Sequence, residues 1–179
     1  IAGIPDIAVG ETITTNENAE ALPSITIDPP ALEIDFMVNN SPFAGREGKF
    51  VTSRHIKDRL EREIETNVGL KIKTTANSDT IKVYGRGEMH ISVLIENMRR
   101  EGFELQISRP KVIMREINGI KNEPIEFAVV NVPDNIAGKV IEMLSTRHGK
   151  MQNMKSENGN TTMEFLIPTR GLLGFRCSF

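Results

Sequence analysis

The chain has 179 residues, 39% of them hydrophobic, enough for one ordinary domain or two small ones and too much for disorder along the whole length. No apolar run approaches the roughly 20 residues that span a bilayer and no signal-like segment opens the sequence, so no membrane partner is expected and the compartment reads as cytoplasmic. Formal net charge is -2, yet the first 40 residues carry seven acidic side chains and no Lys or Arg, leaving the rest at +5, which permits basic patches.

Residues 1–30 contain Pro5, Pro23, Pro29 and Pro30, and read as a linker or as the last strand of a preceding domain, because proline removes amide donors and extends the residue before it. The chain opens on Ile1 rather than Met and reads as a piece of something longer. From Leu32, alternation of Leu32, Ile34, Phe36 and Val38 with Glu33, Asp35 and Met37 predicts a strand with one buried face. A polar loop at 39–49 leads to Ser53, the expected N-cap of a helix carrying Ile56, Leu60, Ile64 and Val68 on one side and closed by Gly69. Strands at 70–75 and 80–84 follow, then a helix at 88–101 with Ile91, Leu94, Ile95 and Met98 in one stripe, then a strand at 103–108.

The β-α-β-β-α-β order then begins again. A strand at 125–132 precedes a helix at 135–147 with Ile136, Val140, Ile141 and Leu144 inward, and strands at 151–155 and 162–167 flank the Glu-Asn-Gly-Asn turn at 157–160 before a helix near Thr169. The expected fold class is α+β: two tandem ferredoxin-like split β-α-β sandwiches, at 31–110 and 111–179, the second truncated at its C-terminus.

Candidate chemistry is sparse. In the 39–49 loop, Gly45 and Gly48 flank Arg46 and Glu47 and precede Lys49, so the backbone could approach a phosphate while Arg46 and Lys49 supply charge; the alternative is a solvated surface loop. The spacing is not that of a nucleotide-binding Gly-x4-Gly-Lys-Ser/Thr loop. Arg54, Lys57 and Arg62 interleave with Glu61, Glu63 and Glu65, which favours pairing along the helix over an RNA-binding face. His55, His90 and His148 are scattered, and the single Cys177 allows neither a disulfide nor a cysteine-based zinc site, so no metal is expected. Arg147-His148-Gly149-Lys150 reads either as a helix end with dipole-compensating charge or as a basic tip.

Three runs resemble the BipA/TypA translational GTPases: residues 38–54, the Gly-Arg-Gly-Glu-Met-His junction at 85–90 with the stretch 94–104, and Pro168-Thr-Arg-Gly-Leu-Leu-Gly-Phe-Arg176. The opening residues 3–14 are similar to the end of that family's β-barrel domain. The 31–110 region is similar to domain III of elongation factor G, and 111–179 to part of its domain V. The resemblance implies ribosome binding and a role in ribosome assembly under stress or cold. It also implies a GTPase module, with its GTP and Mg, that has no matching motif here. This portion is then non-catalytic, needs no cofactor and is expected to be monomeric. Its expected partners are rRNA and ribosomal proteins of the factor-binding site, contacted through Arg46, Lys49, Arg54, Arg147, Lys150, Arg170 and Arg176. Rival readings are an acylphosphatase-like enzyme using the basic loop, a stand-alone RNA-binding module, which the 5% aromatic content and the sole Tyr84 disfavour, and a small-molecule regulatory pair.

Overall fold

The computed structural model describes residues 7, 9–16, 18–23, 27–75 and 79–175. Its backbone separates into two units, Ile1–Lys111 and Val112–Phe179. The strand considered within 1–30 falls partly outside the described residues, and the described residues there form neither helix nor strand. Among the described residues no helix is long and apolar enough to cross a membrane.

In the first unit the elements run β1 (Leu32–Val38), α1 (Ser53–Thr66), β2 (Lys71–Thr74), β3 (Thr80–Gly85), α2 (Glu88–Arg100), β4 (Leu105–Ile107) and, at the boundary, β5 (Lys111–Val112). The sheet is antiparallel in the order β2-β3-β1-β4, with β5 also pairing with β1. Strand alternation puts Leu32, Ile34, Phe36, Ile81 and Val83 inward, against Ile56 and Leu60 of α1 and Ile91, Leu94 and Met98 of α2, with Leu70 and Phe103 also buried. Across the other face the Lys82 ammonium lies 2.7 Å from Glu33 Oε1 and 3.8 Å from Asp35 Oδ1, so this side of the sheet is ionic.

Several boundaries differ from expectation. The N-cap of α1 is Thr52, not Ser53: Thr52 has the extended backbone a cap requires, and its hydroxyl accepts the His55 amide at 3.3 Å. The helix stops at Thr66, where the Asn67 amide donates to the Glu63 carbonyl, so Val68 lies beyond it and both Ile64 and Val68 are exposed. Phe103 precedes β4 and bridges instead to Phe50. The amides of Lys49 and Phe50 donate to the Gly102 carbonyl, and the Glu104 amide donates to that of Phe50.

The second unit begins with a hairpin that the apolar pattern had not announced, β6 (Arg115–Ile117) and β7 (Ile120–Asn122), turned by Asn118 and Gly119 at φ 53° and 77°. Then come β8 (Ile125–Pro133), α3 (Asp134–Thr146), β9 (Lys150–Glu157), β10 (Asn160–Pro168) and the single turn α4 (Thr169–Leu172). The antiparallel order is β8-β10-β9. Asn158 and Gly159 take φ 53° and 79°, the two left-handed positions of a two-residue hairpin turn, which lets both strands run up to the turn and exceed their expected lengths. The core joins Val132, Ala137, Val140, Leu144, Met163, Phe165, Ile167 and Phe175. Ala137 rather than Ile136 faces inward, since the buried stripe of α3 is 137, 140 and 144 and Ile136 sits beside it, 36% exposed. On the opposite side of β8, Ile125, Phe127 and Val129 are exposed. Phe127 is opposite Leu166, which pairs onward with Lys150, and Val129 is opposite Glu164, which pairs onward with Asn153.

Candidate nucleic-acid interface

The loop between β1 and α1 is built around a carboxylate. Val38 pairs with Leu105, which brings the start of the loop beside Glu104. The Glu104 side chain then accepts hydrogen bonds from Asn39 Nδ2 at 2.6 Å and from the amides of Gly45, Gly48 and Glu47 at 2.9, 3.1 and 3.3 Å. Within the loop, Ser41 N donates to Asn39 Oδ1 and Arg46 N to the Phe43 carbonyl. The Gly45 amide above all, aided by Asn39 and the other two amides, outweighs desolvation and holds the Glu104 carboxyl below the usual carboxylate range. The amides that could have cradled an external phosphate therefore already hold an internal anion. That removes the structural basis of an acylphosphatase-like loop.

What the loop presents outward is side chains. The Arg46 guanidinium lies 5.0 Å from the ring centroid of Phe43, which is 63% exposed. Lys49 is exposed at the loop's end, and Arg54 is exposed in the first turn of α1, 3.9 Å from Asp58. An open cleft of about 710 Å³ lies between the loop and the end of α2, lined among others by Phe43, Arg46, Arg99, Arg100, Phe103 and Glu104. Arg99 and Arg100 both contact Glu96, at 3.3 and 2.9 Å. Arg99, Arg100 and Glu104 were not singled out from the sequence. The Arg99-Arg100 pair at a helix end was the available signal.

Farther along α1, Lys57 pairs with Glu61 as its spacing suggested and Arg59 with Glu63, whereas Arg62 donates through Nε to the Asp58 carbonyl at 3.3 Å. Arg59 does more, donating through Nε and Nη2 to both oxygens of Glu101 at 2.6 and 2.7 Å, and so joins α1 to the end of α2. The hydrogen bond that Arg59 donates to Glu101 is the largest influence on it and raises its pKa against the opposing effect of burial. His55 packs edge-on to Phe50, and His90 Nε2 lies 3.0 Å from Asn67 Oδ1. Among the described residues no three His, Cys, Asp or Glu side chains are grouped to hold a metal.

In the second unit the expected cations are placed differently. Arg147 caps α3 and donates through Nη1 to the carbonyls of Gly171 and Leu173, each at 3.0 Å, with its guanidinium 5.5 Å from the Phe175 ring centroid. Arg170 donates through Nε to Glu123 at 2.8 Å, and that bond raises its pKa. Lys150 is exposed at the start of β9. Arg176 lies outside the described residues. Arg147 and Arg170 thus have structural partners, whereas Arg46, Lys49 and Lys150 face solvent.

Residues 120–179 match the family described as elongation factor G C-terminus. Proteins named large ribosomal subunit assembly factor BipA align with all of the chain: 53% identity in Synechocystis, 47% in Bacillus subtilis strain 168 and 48% in Escherichia coli strain K12. The chain covers 30%, 29% and 30% of those proteins, so it spans about a third of the curated relatives it matches. A crystal structure of a Thermus thermophilus protein superposes with a TM-score of 0.51 at 12% identity, over 87% of this chain and 39% of that one, a likeness of fold alone. With 47–53% identity sustained along its entire length, the chain is similar throughout to a segment of these BipA proteins.

Proposed function

We propose that this chain is the ribosome-binding, non-catalytic portion of a BipA/TypA-type translational GTPase that assists assembly of the large ribosomal subunit under stress or cold. The observation that carries the reading is the alignment of all of its residues with proteins named for that task. Residues 31–110 act as an elongation-factor-G domain III-like ferredoxin fold, in keeping with the β2-β3-β1-β4 order, and residues 111–179 as an incomplete domain V-like one, with 1–30 a linker from a preceding barrel. GTP and Mg belong to a module outside this chain, and the protein works as a cytoplasmic monomer on the ribosome.

Affinity comes from cationic side chains on rRNA phosphates, with Arg46, Lys49, Arg54 and Lys150 the exposed contributors and Arg147, Arg170 and Arg176 the remaining candidates. Co-sedimentation with large ribosomal subunits across a salt series tests this. Replacing Arg46 and Lys49 together by Ala is expected to weaken binding and flatten its salt slope by about two units of charge. Unchanged binding would remove the loop from the interface, and absence of binding by the unsubstituted chain at low salt would remove the function.

A further inference from the structure

We propose that the cleft between the 39–48 loop and the end of α2 is a nucleotide pocket for single-stranded RNA: an unstacked base rests on Phe43 while its phosphate is held by Arg46, Arg99 and Arg100. This deepens the ribosome-docking reading and rests on it. Three guanidinium-bearing residues from two separate segments line one cleft, and its volume of about 710 Å³ falls within the roughly 300–1,000 Å³ of small-ligand sites.

Two observations favour a base with a phosphate over phosphate alone. Phe43 is 63% exposed and so offers an aromatic surface for a base, and the Arg46 guanidinium 5.0 Å from its ring centroid puts a phosphate-binding charge beside that surface. The loop is also preorganised: the four donors on Glu104 fix the backbone at Gly45, Glu47 and Gly48, on either side of Arg46. An anion's position is marked as well. The Glu96 carboxylate bridges Arg99 and Arg100 at 3.3 and 2.9 Å, and in the complex a phosphate oxygen takes over these donors while Glu96 turns into solvent. Exposed ion pairs of this kind are weak and exchange readily. A duplex keeps its bases stacked and offers Phe43 nothing, so the pocket selects loops, bulges and ends.

The test is fluorescence anisotropy of the whole chain with a short labelled oligouridylate, its abasic counterpart, and a short RNA duplex. The oligouridylate is expected to bind tightest. Phe43→Leu weakens it by roughly tenfold and leaves the abasic strand and duplex unchanged. Arg99→Gln with Arg100→Gln weakens every ligand, and Glu96→Gln, which removes the competing carboxylate, tightens the oligouridylate several-fold. Equal affinity for the abasic strand or the duplex, indifference to Phe43→Leu, loss of affinity with Glu96→Gln, or equal binding of a polyglutamate peptide would each overturn the pocket. If the oligonucleotide result is negative while the unsubstituted chain still sediments with large subunits, the pocket alone is wrong. If sedimentation also fails, the docking reading falls with it.

Discussion

The Gly48 amide nitrogen stands 3.1 Å from Glu104 Oε2, and a β-carbon placed on Gly48 would lie 2.6 Å from the Glu104 Cβ and 2.9 Å from its backbone nitrogen. The loop and the segment leading into β4 therefore touch backbone to backbone, and only glycine fits between them. Gly48→Ala is expected to force that contact apart and destabilise the first unit by about 1–3 kcal/mol in denaturant melts. An unchanged melting midpoint would mean that the loop can retreat without cost.

Glu104→Gln tests the hydrogen bonds without the steric conflict. The amide retains one acceptor oxygen in place of two charged ones, so several loop donors lose their partner. Hydrogen exchange at Gly45, Glu47 and Gly48 should accelerate about tenfold or more while amides of the β1–β3 pair keep their protection. Equal acceleration throughout the unit would show that Glu104 supports the whole fold rather than this loop.

The same carboxylate gives the loop a pH dependence of defined sign. Its pKa is lowered when the loop is attached, so its contribution is complete above the ordinary carboxylate value and is lost as pH falls through the lowered one. Amide shifts of Gly45 and Gly48 should titrate with a midpoint below about 4.3, the value for an unperturbed glutamate. A midpoint at or above that value would contradict the hydrogen-bond geometry.

Arg59→Met should destabilise the first unit by about 1–2 kcal/mol, a discounted figure because Glu101 is partly open to solvent. The loss comes from Glu63 and Glu101, left without a guanidinium shared between the two helices. Urea titration measures it, and adding Glu63→Gln to the Arg59 variant should cost less than it does in the parent.

Arg147→Lys separates two roles. A lysine keeps the charge but lacks the planar guanidinium that reaches the carbonyls of Gly171 and Leu173 while lying over Phe175. Thermal melting of the second unit should fall by several degrees with ribosome binding retained, whereas the opposite pattern would make Arg147 chiefly an RNA contact.

Much of the architecture was legible because it repeats at short range. The alternation in β1, the stripe Ile91, Leu94 and Met98, and the Asn158-Gly159 turn each declare themselves within a few residues. The β6–β7 hairpin escaped because its strands are three residues long and wholly exposed, leaving no apolar period to read, although Asn118-Gly119 is the same turn signal. At the site, the basic loop was visible but its organising partner was not. Glu104 lies 56 residues beyond Gly48 and is brought near only by the pairing of Val38 with Leu105. The roles of Arg147 and Arg170 were hidden likewise, since their acceptors at 171, 173 and 123 are set by the docking of α4 and the path into β8.

The outward face of β8 has a bearing on solubility. Lys150 ends the cross-strand row of Phe127 and Leu166, and Glu164 breaks the row of Val129, so each apolar row is interrupted by one charge. These two residues stand as gatekeepers against sheet-to-sheet stacking of one molecule upon another. A variant neutral at both would carry a greasy plane and aggregate on concentration, even with its interior packing untouched.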